Sequence, residues 1–288
     1  MKNSLILISI LICALVLRIW QINIFPPKIA STIVIYRYLS AFINTLSIIV
    51  LFLYAKKEMH SAKKALLSSF IFSVLPWSVV QSRISSQVNN ALFVLLLMLL
   101  IIQHQHNKII KIIIFLFSIF FICLFYPQLW IIKSSVFQID LKNLVSNIFF
   151  LTSSELFFFI NPTFWWGGVR DVGIMYLSFT PLLAVGLYLL VLRKKYQIFF
   201  CWSVILLISA VSPLFPESQE YYLVLPFLSV VTAEGLYRFW HHKSLLLRSI
   251  LILIILSFVY EMAQFMHYYY IHYPVQIINN QEKIHEAF

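Results

Sequence analysis

The sequence predicts an all-α, polytopic integral membrane protein of about nine transmembrane helices, from its hydropathy, the length of its apolar runs and the placement of its basic residues. Of 288 residues, 61% are hydrophobic and 11% charged, with a mean hydropathy of +0.91. An ordinary soluble domain is about half apolar and about a quarter charged, so water is not the main solvent of this chain. The 21 basic residues outnumber the 10 acidic ones. They stand in short clusters between apolar runs instead of forming one basic face, which argues against nucleic acid as a partner.

Crossing a hydrocarbon core of about 30 Å takes about 20 residues. Runs near that length, bounded by charge, Pro or Asn, are Leu5 to Ile24, Ile33 to Tyr54, Ala65 to Val80, Val88 to Ile102, Ile109 to Trp130, Val172 to Leu192, Ile198 to Leu214, Tyr221 to Trp240 and Leu245 to His267. The third and fourth are short, as tilted or re-entrant segments are. No small-residue cleavage pattern follows Leu17, so the first run is expected to be a retained helix. Cys13, Cys123 and Cys201 each fall inside an apolar run without metal or redox spacing, and read as small buried hydrophobes.

With the N-terminus in the cytoplasm, the dense clusters Lys56-Lys57, Lys63-Lys64, Arg193-Lys194-Lys195 and the Arg238 to Arg248 group all fall on the inner side of the cell membrane. A further crossing at Leu144 to Ile160 would turn Arg193-Lys194-Lys195 outward, and Thr152-Ser153-Ser154-Glu155 interrupts it. This segment is therefore predicted to lie on the outer membrane surface, with Phe149, Phe150, Phe157, Phe158 and Phe159 dipping into lipid. Residues 1–288 then form a single transmembrane domain in which 131–171 is the main exoplasmic loop.

Ionisable residues inside a membrane are costly, so they point to function or to helix ends. Glu234 and Glu261 stand about a turn and a half from the ends of their runs, and Arg18 and Arg37 stand at run ends. All four are expected to snorkel to interfacial water. No chain of such groups crosses the midplane, which makes a small-molecule transporter the weaker reading. The histidines lack Cys, Asp or Glu at ligand spacing, and no metal or cofactor motif is present. Polar groups concentrate instead on the outer side. Arg83 stands between the two short runs, Arg170-Asp171 follow Trp165-Trp166-Gly167-Gly168, Glu155 lies in the amphipathic segment and Glu220 precedes the eighth run. An arginine at headgroup depth suits a phosphate, and carboxylates beside aromatic rings suit a sugar. The competing reading is an ordinary interfacial belt of Trp, Tyr and Arg.

Local patterns recur in an order that resembles the GT-C superfamily of membrane glycosyltransferases, in particular the bacterial relatives of protein mannosyltransferases and aminoarabinose transferases (glycosyltransferase family 39-like). They run from Ala14-Leu15-Val16-Leu17-Arg18-Ile19-Trp20 with Phe25-Pro26-Pro27, through Tyr36-Arg37-Tyr38 and Leu75-Pro76-Trp77-Ser78-Val79-Val80-Gln81-Ser82-Arg83. They continue in Ser154-Glu155-Leu156-Phe157-Phe158 and Pro181-Leu182-Leu183-Ala184-Val185-Gly186-Leu187, and end with Tyr222-Leu223-Val224-Leu225-Pro226-Phe227 and Ala233-Glu234-Gly235-Leu236. The resemblance implies transfer of a sugar from a polyprenyl-phosphate donor to an acceptor at the outer face. It also implies an Asp in the first exoplasmic loop, acting as the base. Here that loop, Phe25 to Thr32, holds no carboxylate, Gln87 stands where relatives often have an acid, and Glu220 where they often have an arginine. Two readings stay open. Asp171 or Glu155 has become the catalytic carboxylate, with Arg83, Arg170, Trp165, Trp166, Gln87 and Glu220 binding donor and acceptor. Alternatively, the chain is a shortened, inactive relative that binds a lipid phosphate or a partner protein in the membrane.

Overall fold

The computed structural model describes residues 2–20, 22, 34–84, 87–107, 109–111, 113, 114, 117, 141–159, 173–211 and 219–272. All regular structure among them is helical. The helices are α1 (Lys2–Ile19), α2 (Val34–Glu58), α3 (Ala62–Val74), α4 (Pro76–Arg83), α5 (Gln87–His104), α6 (Leu141–Leu151), α7 (Ser154–Phe158), α8 (Thr180–Leu192), α9 (Tyr196–Val211), α10 (Leu225–Trp240) and α11 (Leu245–His267). A π-turn, Tyr268–His272, extends α11, and 3-10 turns precede α8 and α10.

Three helical stretches are long and apolar enough to cross a membrane: α2, α5 and α11 with its π-turn. Counting the bent pairs α3–α4 and α8–α9 as one span each raises the number to five among the described residues. The reading of about nine crossings is not reached there, for physical reasons that differ by run. The run Ile109 to Trp130 lies mostly outside the described residues. The run Tyr221 to Trp240 divides into a 3-10 turn and the 16 residues of α10. At about 1.5 Å per residue, α10 is shorter than the hydrocarbon core.

The short third run breaks at proline. Ser61 caps α3 by accepting from the Lys64 backbone N–H, and Leu75 N–H closes its last turn on Ile71 O at 3.1 Å. Pro76 has no N–H to donate and occupies the first position of α4, so the ladder stops and restarts with the axis bent by 59°.

Helix ends meet in two groups. The C-termini of α2, α5, α8 and α10 and the N-terminus of α3 gather at one end, joined by Lys195 to Glu58, Gln103 to Glu58, and Lys64 and Arg193 to Glu234. The C-termini of α1 and α4, the N-terminus of α2 and the π-turn gather at the other, around Arg18, Arg37 and Arg83. Lys64, Arg193 and Lys195 thus share the first of these ends.

At the centre lies α10, in which Leu225 through Gly235 are all buried, the Ser229 and Thr232 hydroxyls donating to Leu225 O and Leu228 O of the same helix at 2.8 Å. It packs against α3 and α8. Its contact with α8 is backbone on backbone. A Cβ on Gly186 would sit 2.0 Å from Val231 O, and one on Gly235 would sit 2.0 Å from Leu182 O. The two glycines thus face each other's helix one turn apart, the small-residue packing that lets helices approach in an apolar medium. Outward, α11 exposes Leu246, Leu253, Leu256 and Tyr260, and α1 exposes Leu5, Ile8, Ile12 and Cys13, an apolar surface suited to lipid. Cys13 is therefore not the buried hydrophobe expected, whereas Cys201 is buried.

The segment expected to lie flat at the surface is two helices, α6 and α7, divided where Ser153 Oγ accepts from Leu156 N–H at 3.2 Å. Phe149 and Phe159 are exposed as expected. Phe157 is not, because it packs edge-on against Trp202 and Tyr221.

Gly186→Ala should destabilise the chain by about 1–3 kcal/mol, the usual cost of overpacking, whereas Tyr188→Leu on the exposed face of the same helix should be neutral. Thermal midpoints of the two purified variants in one detergent check this, and equal midpoints would remove the close approach of α8 and α10.

Candidate functional site

The polar interior begins with what the Pro76 break leaves behind. Carbonyls near a break have lost their helical donors, and in an apolar interior each must find another. Ser73 O accepts from Arg18 Nη1 at 3.1 Å, and Val74 O accepts from Tyr176 OH at 2.9 Å. Arg18 is fully buried and also donates to Asn44 Oδ1 at 2.8 Å, Ser78 Oγ at 2.9 Å and Ala14 O at 3.0 Å. Asn44 Nδ2 donates onward to Asn89 Oδ1 and to Tyr222 OH. Asn89 Nδ2 donates to Ser40 Oγ at 2.7 Å and Gln81 O at 2.8 Å, and Ser40 Oγ to Ile84 O at 2.8 Å. One guanidinium and two amides thereby tie α1, α2, α3, α4, α5 and the turn before α10 together.

Arg83, on the last turn of α4, reaches the C-terminus of α1. Its Nη1 donates to Trp20 O at 2.6 Å, Leu17 O at 3.1 Å and Arg18 O at 3.3 Å, and the guanidinium lies 5.0 Å from the Tyr270 ring centre and 5.6 Å from that of Tyr269. Tyr270 OH also donates to Leu17 O. The negative end of a helix dipole and two aromatic faces therefore hold this cation. Arg37, 2% exposed, donates to Ile22 O at 3.4 Å. Beside Tyr270, an apolar groove of about 480 Å³ runs between α1 and α11, lined by Val16, Leu17, Trp20, Met266, His267 and Ile271.

At the opposite end Glu234 is the hub. Both its oxygens accept from Lys64 Nζ at 2.8 Å and one also accepts from Arg193, while Lys64 lies 5.0 Å from the Tyr237 ring centre. Glu234 and Lys64 are buried, so the expected snorkelling of Glu234 does not occur. The cations come to the carboxylate instead, and Arg193, with 46% of its side chain exposed, links the pair to the surface. Glu261 is half-buried. It accepts from Ser178 N–H and from Ser178 Oγ at 2.8 Å, capping the turn that leads into α8.

No family model, characterised protein or solved structure matches this chain. The site therefore rests on its own geometry.

Of the residues singled out from sequence, Asp171, Arg170, Trp165 and Trp166 lie outside the described residues. Glu155 is exposed at the start of α7, and Gln87 is exposed at the start of α5. Glu220 falls on the 3-10 turn Gln219–Val224. Arg83 is 0% exposed, not open at the surface as its loop-like setting suggested, because α1 ends over it. Gly173 packs against the backbone of Phe157 and Phe158, and the amides of Ile174 and Met175 donate to Leu156 O and Phe157 O, so the chain just beyond Asp171 is held to the helix that carries Glu155. Sequence reasoning missed Asn44, Asn89 and Tyr222. The signal was there, since Asn44 and Asn89 are amides in otherwise apolar runs. Among the described residues, no group of three His, Cys, Asp or Glu could hold a metal ion.

Glu234→Gln should leave Lys64 as a buried cation without its counter-charge, a loss of about 3–5 kcal/mol. Arg193→Gln should cost far less, because half of that side chain is in contact with solvent. A thermal midpoint for Glu234→Gln no lower than that for Arg193→Gln would contradict this ranking.

Proposed function

We propose that the chain is a GT-C-like protein of the cell membrane, N-terminus inside, that binds a polyprenyl phosphate at its arginine-bearing outer end without transferring sugar. The observation that carries this reading is the commitment of Arg83 to the carbonyls that end α1, directly beside the apolar groove between α1 and α11. An arginine used as a helix clamp is not positioned to follow a phosphate through a reaction. It does place positive charge next to an apolar groove of about 480 Å³, with the Trp20 and Tyr270 rings among its lining. The reading accords with a first loop that holds no carboxylate. The basic clusters at the opposite end support the orientation through the positive-inside rule.

A second reading, active glycosyl transfer, is favoured by one contact. Gly173 is pinned against α7, which brings the chain adjoining Asp171 to the helix bearing Glu155. On that reading these two carboxylates supply the base and Trp165, Trp166 and Arg170 the donor site.

Mass spectrometry of lipids retained by the purified chain tests the first reading. Polyprenyl phosphate should accompany the native protein and be lost from Val16→Trp, which fills the groove from its lipid-facing side. Bulk phospholipid alone in both samples would refute it. Sugar turnover that Asp171→Asn abolishes would replace it with the second.

A further inference from the structure

The basic end carries a cavity that the outer-end reading does not use. It has a volume of about 560 Å³ and lies between α2, α5 and α9. Leu99, Ile102, Phe200 and Cys201 form its apolar wall. Lys57, Lys111 and Lys195 reach it from three separate stretches of chain, and His60, Gln103 and Gln197 also line it.

The charges do not cancel. Glu58 is the acidic residue that lines the cavity, and its carboxylate is already engaged by Lys195 Nζ at 3.2 Å and Gln103 Nε2 at 3.1 Å. Lys57 and Lys111 are half-buried and form no ion pair with a described residue. A half-buried lysine beside an apolar wall loses part of its hydration, and an anion entering the cavity restores what is lost. A soluble phosphate would gain nothing from Leu99, Ile102 and Phe200, whereas a phosphodiester carrying acyl chains would satisfy the lysines and the apolar wall together.

We propose that this cavity binds the headgroup of an anionic phospholipid, its phosphate between Lys57 and Lys111 and its first acyl carbons against Leu99, Ile102 and Phe200. The inner leaflet is where such lipids meet juxtamembrane lysines, and the dense basic clusters mark this end as the inner one. The site is separate from the groove beside Arg83, and it stands whether or not that groove holds a polyprenyl phosphate.

The test is native mass spectrometry of the full chain in detergent, titrated with phosphatidylglycerol, phosphatidylcholine or inorganic phosphate. Phosphatidylglycerol should bind well ahead of the other two. A lysine near an anionic headgroup contributes about fivefold, so Lys57→Gln with Lys111→Gln should weaken phosphatidylglycerol binding about 30-fold. Gln197→Trp, which fills the cavity and leaves the charge unchanged, should weaken it as well. Lys63→Gln with Lys243→Gln removes the same charge from the same end, outside the cavity, and should have little effect. Equal binding of phosphatidylcholine, equal loss in the two double variants, or displacement by inorganic phosphate at matched concentration would each overturn the proposal. So would unchanged binding in Gln197→Trp.

Discussion

An α-helix broken inside an apolar bundle leaves carbonyls that water cannot reach, and most of the architecture of this chain answers that constraint. Pro76 stops the ladder between α3 and α4, and Arg18 and Tyr176 supply the missing donors to Ser73 O and Val74 O. Bringing Arg18 inside creates a second requirement, because a buried guanidinium needs acceptors of its own. Asn44, Ser78 and Ala14 O meet it, and Asn44 in turn needs Asn89 and Tyr222. A single backbone defect thus propagates into a polar seam that fixes how the helices of the N-terminal half and the approach to α10 are arranged.

Arg83 extends the same logic to a helix end. The last carbonyls of α1 have no intrahelical donors, and the guanidinium of α4 takes them while lying over Tyr269 and Tyr270. The α3–α4 break therefore contributes twice. It exposes the carbonyls that Arg18 serves, and it re-aims α4 so that its final residue reaches α1. At the other end of the bundle charge is handled differently. Lys64 and Arg193 share the single carboxylate of Glu234 next to the tight crossing of α8 and α10, whose glycines Gly186 and Gly235 bring the two backbones together. Such a cluster adds little net stability, since its members give up hydration to form it.

Much of this was legible in the sequence, but unevenly. The helical class follows from the apolar run lengths, because lipid imposes a length. The break was not legible, because the run Ala65 to Val80 reads as continuously apolar across Pro76, where the helix in fact stops and restarts. The fate of individual charges was not legible. Glu234, Glu261 and Arg18 stand near helix ends, where snorkelling is the default, and each is instead met by groups distant in sequence: Lys64, Ser178 and Asn44. Depth along one helix does not reveal what a neighbouring helix offers at that depth. The same holds for Phe157, whose place in an amphipathic stretch pointed to lipid, while its neighbours Trp202 and Tyr221 made it part of the core. For the site, the sequence picked out Arg83 but not that α1 ends over it, since helix termini are the least certain part of any run.

The account stands on Arg18 closing the break at Pro76, and amide hydrogen exchange across residues 71–84 measures that directly. In Arg18→Met, which keeps length and apolar contact but removes the donors, protection should fall in the last turn of α3 and throughout α4, while α8 and α10 keep theirs. Unchanged protection across the break would mean that its carbonyls are satisfied without Arg18, and would contradict the claim that this residue organises the fold.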